Sequence, residues 1–104
     1  MAEAAGFDWD DGNREKCRKH GLSIDEIEQI LAHSESFIVP SLRSADYESR
    51  FIAIGRTTEG RWAFVVFTPR QDEGRLIWRP ISTRYMHKKE IARYEKEISD
   101  SENR

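Results

Sequence analysis

Residues 50–85 decide the fold, and they read RFIAIGRTTEGRWAFVVFTPRQDEGRLIWRPISTRY. Three runs of β-branched, aromatic and other apolar residues, at 51–54, 62–67 and 76–81, are separated by two polar joints that contain glycine. Such runs are typical of consecutive antiparallel strands. The stretch therefore predicts an antiparallel meander, in which the second joint, residues 69–74, is long enough to be a mobile loop.

The last run contains Pro80, which cannot donate to a strand ladder. We therefore predict that this strand lies at a sheet edge or carries a bulge at Pro80. After Thr83 the apolar spacing changes to three and four residues, through Ile91, Tyr94 and Ile98. This spacing predicts a final helix over residues 87–98.

Two helices are predicted before the meander. Phe7 and Trp9 alternate with aspartate, which predicts a short first strand. A helix then follows from a cap at Asp10 or Asp11 to Gly21, since Lys-His-Gly at 19–21 suits a helix end.

The second helix has a stronger start signal. Ser23 and Glu26 form a capping box, and apolar residues follow at helical spacing to about residue 33. Residues 37–39 predict another short strand before Pro40. The sequence therefore predicts an α/β (α+β) fold in the order β-α-α-β-β-β-β-α, with two helices packed on one side of a mainly antiparallel sheet.

Length and composition predict one domain. The 104 residues, 38% of them hydrophobic, suffice for a single core. We expect a flexible leader at residues 1–6, one domain at 7–98 and a flexible tail at 99–104. No run is long enough to cross a membrane, and the start lacks a secretory signal pattern, so a cytoplasmic location is expected. The single cysteine, Cys17, forms no disulfide within the chain and offers no metal-site spacing, which favours a structural thiol.

The net charge of -2 conceals two halves of opposite sign. Residues 1–49 carry 5 Lys/Arg against 11 Asp/Glu, whereas residues 50–98 carry 11 against 6. Seven arginines stand in the meander alone: Arg50, Arg56, Arg61, Arg70, Arg75, Arg79 and Arg84. Guanidinium groups on a sheet make a surface suited to a polyanion. The alternative is that these arginines form ordinary ion pairs with the acidic first half.

None of the familiar catalytic motifs with fixed spacing is present in the sequence. What remains is a set of groups expected at the strand ends, namely Arg50, Arg79, Arg84, Tyr85 and His87, with Glu48, Lys19 and His20 elsewhere. Such groups suit RNA cleavage by attack of the 2′-hydroxyl, because arginine stabilises the phosphorane and His, Glu, Tyr or Lys can move protons. This route requires neither metal nor cofactor. For His20, an alternative role is to complement the dipole at the end of its helix.

Two long segments resemble the BrnT toxin family. The first is FDWDDGNREKCRKHGLSIDEIEQIL at 7–31, with its F-D-W-D start and K-H-G-L-S helix break. The second comprises YESRFIAIGRTTEGRWAFVVFTPR and RPISTRYMHKKEIARYEKE, with the G-R turn, the V-V-F-T strand and the I-S-T-R segment. The resemblance covers residues 7–97.

This resemblance implies a small bacterial ribonuclease toxin with a RelE-like fold, from a type II toxin–antitoxin pair. It also implies a ribbon-helix-helix antitoxin that binds operator DNA. By this resemblance Arg50 and Arg84 support toxicity. Glu48, Tyr85 and His87 are further catalytic candidates on their chemistry alone. The expected RNA-binding residues are Arg56, Arg61, Arg79, Lys19 and His20.

Two kinds of function fit these features. The first is an RNA-cleaving endoribonuclease toxin neutralised by its antitoxin. The second is a catalytically silent module on the same scaffold that binds nucleic acid or a protein partner, as a homodimer in one variant. Cleavage needs an acid and a base in register, whereas binding needs only positive charge, so the proton-transfer groups distinguish the two.

Overall fold

The computed structural model describes residues 5–32, 37–40 and 50–102. Its elements are α1 (Asp11–Arg18), α2 (Ile24–Ala32), β1 (Phe37–Pro40), β2 (Phe51–Arg56), β3 (Trp62–Asp72), β4 (Arg75–Tyr85) and α3 (Lys88–Glu102). The four strands form one antiparallel sheet in the order β1-β2-β3-β4. The predicted α+β class, with its antiparallel meander, is confirmed. No helix in the described part of the chain is long and apolar enough to span a membrane.

The predicted first strand is only an isolated bridge. Phe7 pairs with Trp78 of β4 in parallel, and no longer ladder forms among the described residues. Backbone bonds hold this segment to the sheet edge: Asp8 N donates to Trp78 O at 2.9 Å, and Trp78 N donates to Gly6 O at 3.1 Å. Phe7 and Trp9 still pack against the core, so the burial of both aromatics matters more here than ladder formation.

Local capping fixes both N-terminal helices. Asp10 and Asn13 form a reciprocal box at α1, with Asn13 N donating to Asp10 Oδ1 at 3.0 Å and Asp10 N donating to Asn13 Oδ1 at 2.7 Å. At α2, Ser23 N donates to Glu26 Oε1 at 2.9 Å, and Glu26 N donates to Ser23 Oγ at 3.1 Å. Each box satisfies two amides that the helix leaves unpaired. The predicted helix starts are therefore confirmed.

The core lies between α1, α2 and one face of the sheet. Its buried members are Cys17, Leu22, Ile27, Ile30, Leu31, Ala53, Ala63, Val65, Phe67 and Trp78. Phe67 and Trp78 meet edge to face with ring centroids 5.2 Å apart, an arrangement that aromatic pairs favour. Burial raises the pKa of the Cys17 thiol to about 11, so Cys17 is a protonated core residue at neutral pH, consistent with a structural thiol.

The expected loop at residues 69–74 is instead a tight hairpin. β3 continues to Asp72 and β4 begins at Arg75, so only Glu73 and Gly74 connect them. Both have positive φ, 51° and 80°, as a two-residue turn between right-twisted strands requires. Pro69 is tolerated in β3 because β2 pairs with β3 only as far as Phe67, so beyond that point this side of β3 needs no donor.

The predicted irregularity at Pro80 is confirmed. Val66 pairs with Ser82 while Phe67 pairs with Pro80, which leaves Ile81 as an extra residue on β4. β4 is also the last strand in the sheet order, as the prediction of an edge strand required. After β4, α3 begins at Lys88 as predicted and runs to Glu102, past the predicted end at Ile98.

Candidate functional site

The sheet face opposite the core carries α3. Ile54, Phe64 and Arg84 lie side by side across β2, β3 and β4 on this face. Tyr94 of α3 packs edge to face on Trp62, with ring centroids 5.0 Å apart. We call the surface formed by Ile54, Trp62, Phe64 and Arg84 the α3 face. Strand alternation brings these residues together, because every second residue of a strand shares a face.

Arg84 is held on the α3 face by a carboxylate and an aromatic ring. Its Nη1 and Nη2 atoms lie 2.7 Å and 2.8 Å from Glu90 Oε1 and Oε2, a two-pronged ion pair. The guanidinium carbon stands 4.6 Å from the ring centroid of Phe64. Arg84 thus has a fixed orientation, which a donor to a developing negative charge requires.

Glu90 gains a second partner from the start of α3. His87 N donates to Glu90 Oε1 at 2.9 Å, so Glu90 caps the helix that contains it. The hydrogen bonds from Arg84 and from His87 N lower the pKa of Glu90 to about 2. The hydrogen bond from its backbone N–H also places His87 next to the Arg84–Glu90 pair.

A second arginine–aromatic pair stands beside the first. The Arg56 guanidinium carbon lies 4.7 Å from the ring centroid of Trp62. Arg56 and Trp62 are cross-strand partners, two residues along the strands from the pair Ile54 and Phe64, and so lie on the same face. Aromatic rings and cations in such a row suit single-stranded nucleic acid, which presents stackable bases and a charged backbone.

Tyr85 belongs to a different group. Its ring lies 3.5 Å from the Arg61 guanidinium carbon and packs with the core, on the opposite side of the sheet from Arg84. Gly21 approaches the same ring, so the turn that contains Lys19 and His20 lies beside it. Burial first, and then the nearby Glu26 carboxylate, raise the pKa of Tyr85, so its phenol stays protonated at neutral pH.

Arg79 is engaged in ion pairs. Its Nη1 lies 3.3 Å from Asp8 Oδ2, and its Nη2 lies 2.8 Å from Asp10 Oδ2. These acidic partners come from the acidic half of the chain, so for Arg79 the alternative of ordinary ion pairing holds. The hydrogen bond from Asn13 N, and next that from Arg79, lower the pKa of Asp10.

Arg50 is not brought to Arg84. Arg50 directly precedes β2, whereas Arg84 lies across from Ile54, four residues further along. At ~3.3 Å per residue the two positions are roughly 13 Å apart along the strand direction. Arg50 is half-buried. Glu48 lies outside the described residues.

Two residues of this site escaped the sequence analysis. Glu90 was not singled out, and Phe64 was only a member of the apolar run at 62–67. A signal for Glu90 was available, since it stands three residues after His87, the spacing of a capping carboxylate at a helix start. Its reach to Arg84 depends on how α3 turns back over the sheet.

Comparison with known proteins decides the family. Residues 9–90 match the family described as the ribonuclease toxin, BrnT, of type II toxin–antitoxin systems. The chain belongs to the BrnT family. A search of curated proteins gives no significant match. Membership of the BrnT family implies a ribonuclease toxin with an RNA substrate and an antitoxin partner. The match includes α1, α2, all four strands and the start of α3 as far as Glu90.

Proposed function

We propose that this BrnT protein cleaves RNA on the α3 face, without a metal ion, by attack of a ribose 2′-hydroxyl on the adjacent phosphate. The 2′-oxygen forms a bond to phosphorus as the bond to the 5′-oxygen breaks, which leaves a 2′,3′-cyclic phosphate and a 5′-hydroxyl. A base removes the 2′-hydroxyl proton, and an acid supplies a proton to the leaving oxygen.

One observation supports this proposal most directly: Arg84 presents an ordered pair of donors that already holds an anionic group in its fork. A phosphorane with negative charge on its non-bridging oxygens would be stabilised by the same two N–H groups. The neighbouring pairs Arg84–Phe64 and Arg56–Trp62 supply cations and rings along one surface. Family membership supplies the substrate class, RNA.

His87 is the proposed proton-transfer residue. It is exposed at the start of α3, and its backbone N–H donates to Glu90, the partner of Arg84. Imidazole changes its charge near neutral pH, so it can accept one proton and return another within a catalytic cycle. Tyr85 is less suited, because it faces the core side and its phenol is held protonated.

The proposed antitoxin is a ribbon-helix-helix protein that binds operator DNA and covers the α3 face with an acidic or amphipathic segment. Masking Arg84 and Arg56 would block RNA most directly. The exposed helix residues Lys89 and Arg93 extend the same positive surface.

The silent binding module remains a second candidate because of a specific observation. Three of the catalytic candidates do not converge: Arg84 and Tyr85 face opposite sides, and Arg50 lies roughly 13 Å from Arg84 along the strands. A basic surface without an acid and a base in register would still bind RNA.

The deciding experiment uses purified protein, freed of any antitoxin, incubated with RNA in the presence of EDTA. Products ending in 2′,3′-cyclic phosphate, with a DNA strand of the same sequence left intact, are the expected result. Binding of RNA without cleavage would support the silent module. Cleavage abolished by EDTA would contradict the metal-independent route.

A further inference from the structure

The two terminal nitrogens of Arg84 donate to the Glu90 carboxylate, an anionic group that arginine binds in the same way as a phosphate. Both Glu90 oxygens lie within 2.8 Å of an Arg84 nitrogen, and the two side chains are 43% and 32% exposed. Arginine binds carboxylates and phosphates through the same two-pronged geometry. The Glu90 carboxylate therefore stands where a phosphate bound by Arg84 would stand.

When no ligand is bound, Glu90 occupies the position of this phosphate on Arg84. Its Oε1 also accepts from His87 N at 2.9 Å, so the helix start fixes the carboxylate. The lowered pKa, about 2, keeps Glu90 ionised at every pH near neutrality. An ionised, helix-anchored carboxylate is an internal competitor for any anion that approaches Arg84.

A cavity of about 380 Å³ opens beside this ion pair, between α3 and the sheet. Its apolar wall comes from Ile54, Phe64, Met86 and Tyr94, and its rim carries Lys89, Arg93 and Glu97 as well as Glu90. This volume falls in the ~300–1,000 Å³ range of small-molecule sites. Aromatic and apolar walls next to cations suit a nucleoside attached to a phosphate.

We propose that one nucleotide of a bound RNA occupies this place, its phosphate replacing the Glu90 carboxylate on Arg84 and its nucleoside entering the cavity under α3. Glu90 is then an internal competitor that weakens RNA binding until the phosphate displaces it. The inference rests on the proposed function in that RNA is the ligand. It concerns binding alone and so can be tested without cleavage.

The first test measures binding of a short 2′-O-methyl RNA, which cannot be cleaved by 2′-hydroxyl attack. Glu90→Gln keeps an acceptor for His87 N but loses the charge on Arg84, and we expect it to bind this RNA roughly two- to fivefold more tightly than the original protein. The matched control is Glu95→Gln, which removes an equal charge from an exposed position on the same helix. We expect a clearly smaller gain for Glu95→Gln.

Two further measurements test whether the tighter RNA binding depends on Arg84 and on the cavity. In an Arg84→Ala background, Glu90→Gln should give no more gain than Glu95→Gln gives, because Glu90 then has no phosphate site on Arg84 to compete for. With RNA bound to the Glu90→Gln variant, a ribonucleoside monophosphate should displace it at lower concentration than inorganic phosphate, since only the nucleotide fills the cavity. Circular dichroism of each variant checks that α3 persists.

Equal gains from Glu90→Gln and Glu95→Gln, or an excess gain from Glu90→Gln that survives Arg84→Ala, would overturn the phosphate site. Equal displacement by phosphate and nucleotide, or none by either, would overturn the nucleoside cavity. If Glu90→Gln instead strengthened only the binding of an acidic peptide, the site would belong to a protein partner and the inference would be wrong. Failure of unmodified RNA to be cleaved would count against the proposed function and not against this site.

Discussion

The side-chain amide of Asn13 links α1 to the bulge of β4. Asn13 Nδ2 donates to Pro80 O at 2.8 Å and to Asp8 O at 2.9 Å, while its Oδ1 accepts from Asp10 N. Asn13 is 5% exposed. One buried amide thus joins the helix start, the N-terminal segment and the irregular edge strand.

Replacing Asn13 with Ala should destabilise the protein by about 2–3 kcal/mol, because buried carbonyl groups lose their donor and α1 loses half of its capping box. Urea unfolding followed by tryptophan fluorescence measures this. The control is Gln29→Ala at an exposed position of α2, which should change the free energy of unfolding by less than ~0.5 kcal/mol. Equal effects from the two variants would show that the Asn13 bonds contribute nothing beyond an ordinary surface residue.

Arg84→Ala should lower the rate of RNA cleavage roughly 30- to 1,000-fold, about 2–4 kcal/mol of transition-state stabilisation, since it removes a preorganised donor pair. Arg75→Ala is the charge-matched control, an exposed arginine at the far end of β4. It should slow cleavage only slightly, through weaker RNA attraction. Single-turnover cleavage assays compare the two, and similar losses would point to general electrostatics in place of a role for Arg84.

The Arg84–Glu90 pair should make stability depend on pH in the acidic range. The pKa of Glu90 is lowered from an ordinary value near 4.5 to about 2, so its contribution is complete above pH 4.5 and is lost as pH falls toward 2. The urea midpoint of the original protein should therefore exceed that of Glu90→Gln at pH 6, and the two should converge as pH falls. Asp10 also has a lowered pKa, but it is present in both proteins, so its contribution to the pH dependence cancels when the two are compared. A gap that stays constant from pH 6 to pH 3 would contradict this linkage.

The hairpin between β3 and β4 should be sensitive at Gly74. Its φ of 80° is strained for any residue with a side chain, so Gly74→Ala should cost about 1–2 kcal/mol of stability. Gly6→Ala is the control, because a Cβ there meets no atom within 4 Å and the backbone is not left-handed. Thermal unfolding of the two variants checks the difference. A Gly74→Ala protein as stable as Gly6→Ala would mean that the turn relaxes freely.

The helices could be predicted because their signals are local. The boxes Asp10–Asn13 and Ser23–Glu26 lie within single turns, so the sequence contains both partners. The hairpin at Glu73–Gly74 could not be predicted in this way. Pro69 cannot donate a backbone hydrogen bond and so argues against a strand, and only the register shows that β2 ends before Pro69 and needs no donor from it. The bridge at Phe7 likewise depends on a strand about 70 residues away.

The site was predictable in part. Arg84 was proposed as a functional residue, and its position on the α3 face, with its side chain 43% exposed, fits that proposal. Grouping Arg84 with Tyr85 ignored strand alternation, which sends adjacent side chains to opposite faces. The pairing of Glu90 with Arg84 depends on where α3 lies, a tertiary contact that helical periodicity does not encode.

The short N-terminal segment at residues 5–8 covers the outer edge of β4 and so opposes pairing of that edge with another molecule. Ala5 N donates to Leu76 O at 2.7 Å, and the bonds at Gly6 and Asp8 continue this pairing along the outer edge of β4. A strand edge with free amides and carbonyls recruits strands from neighbouring molecules. Removal of residues 1–8 would expose that edge, so the shortened protein should self-associate as its concentration rises.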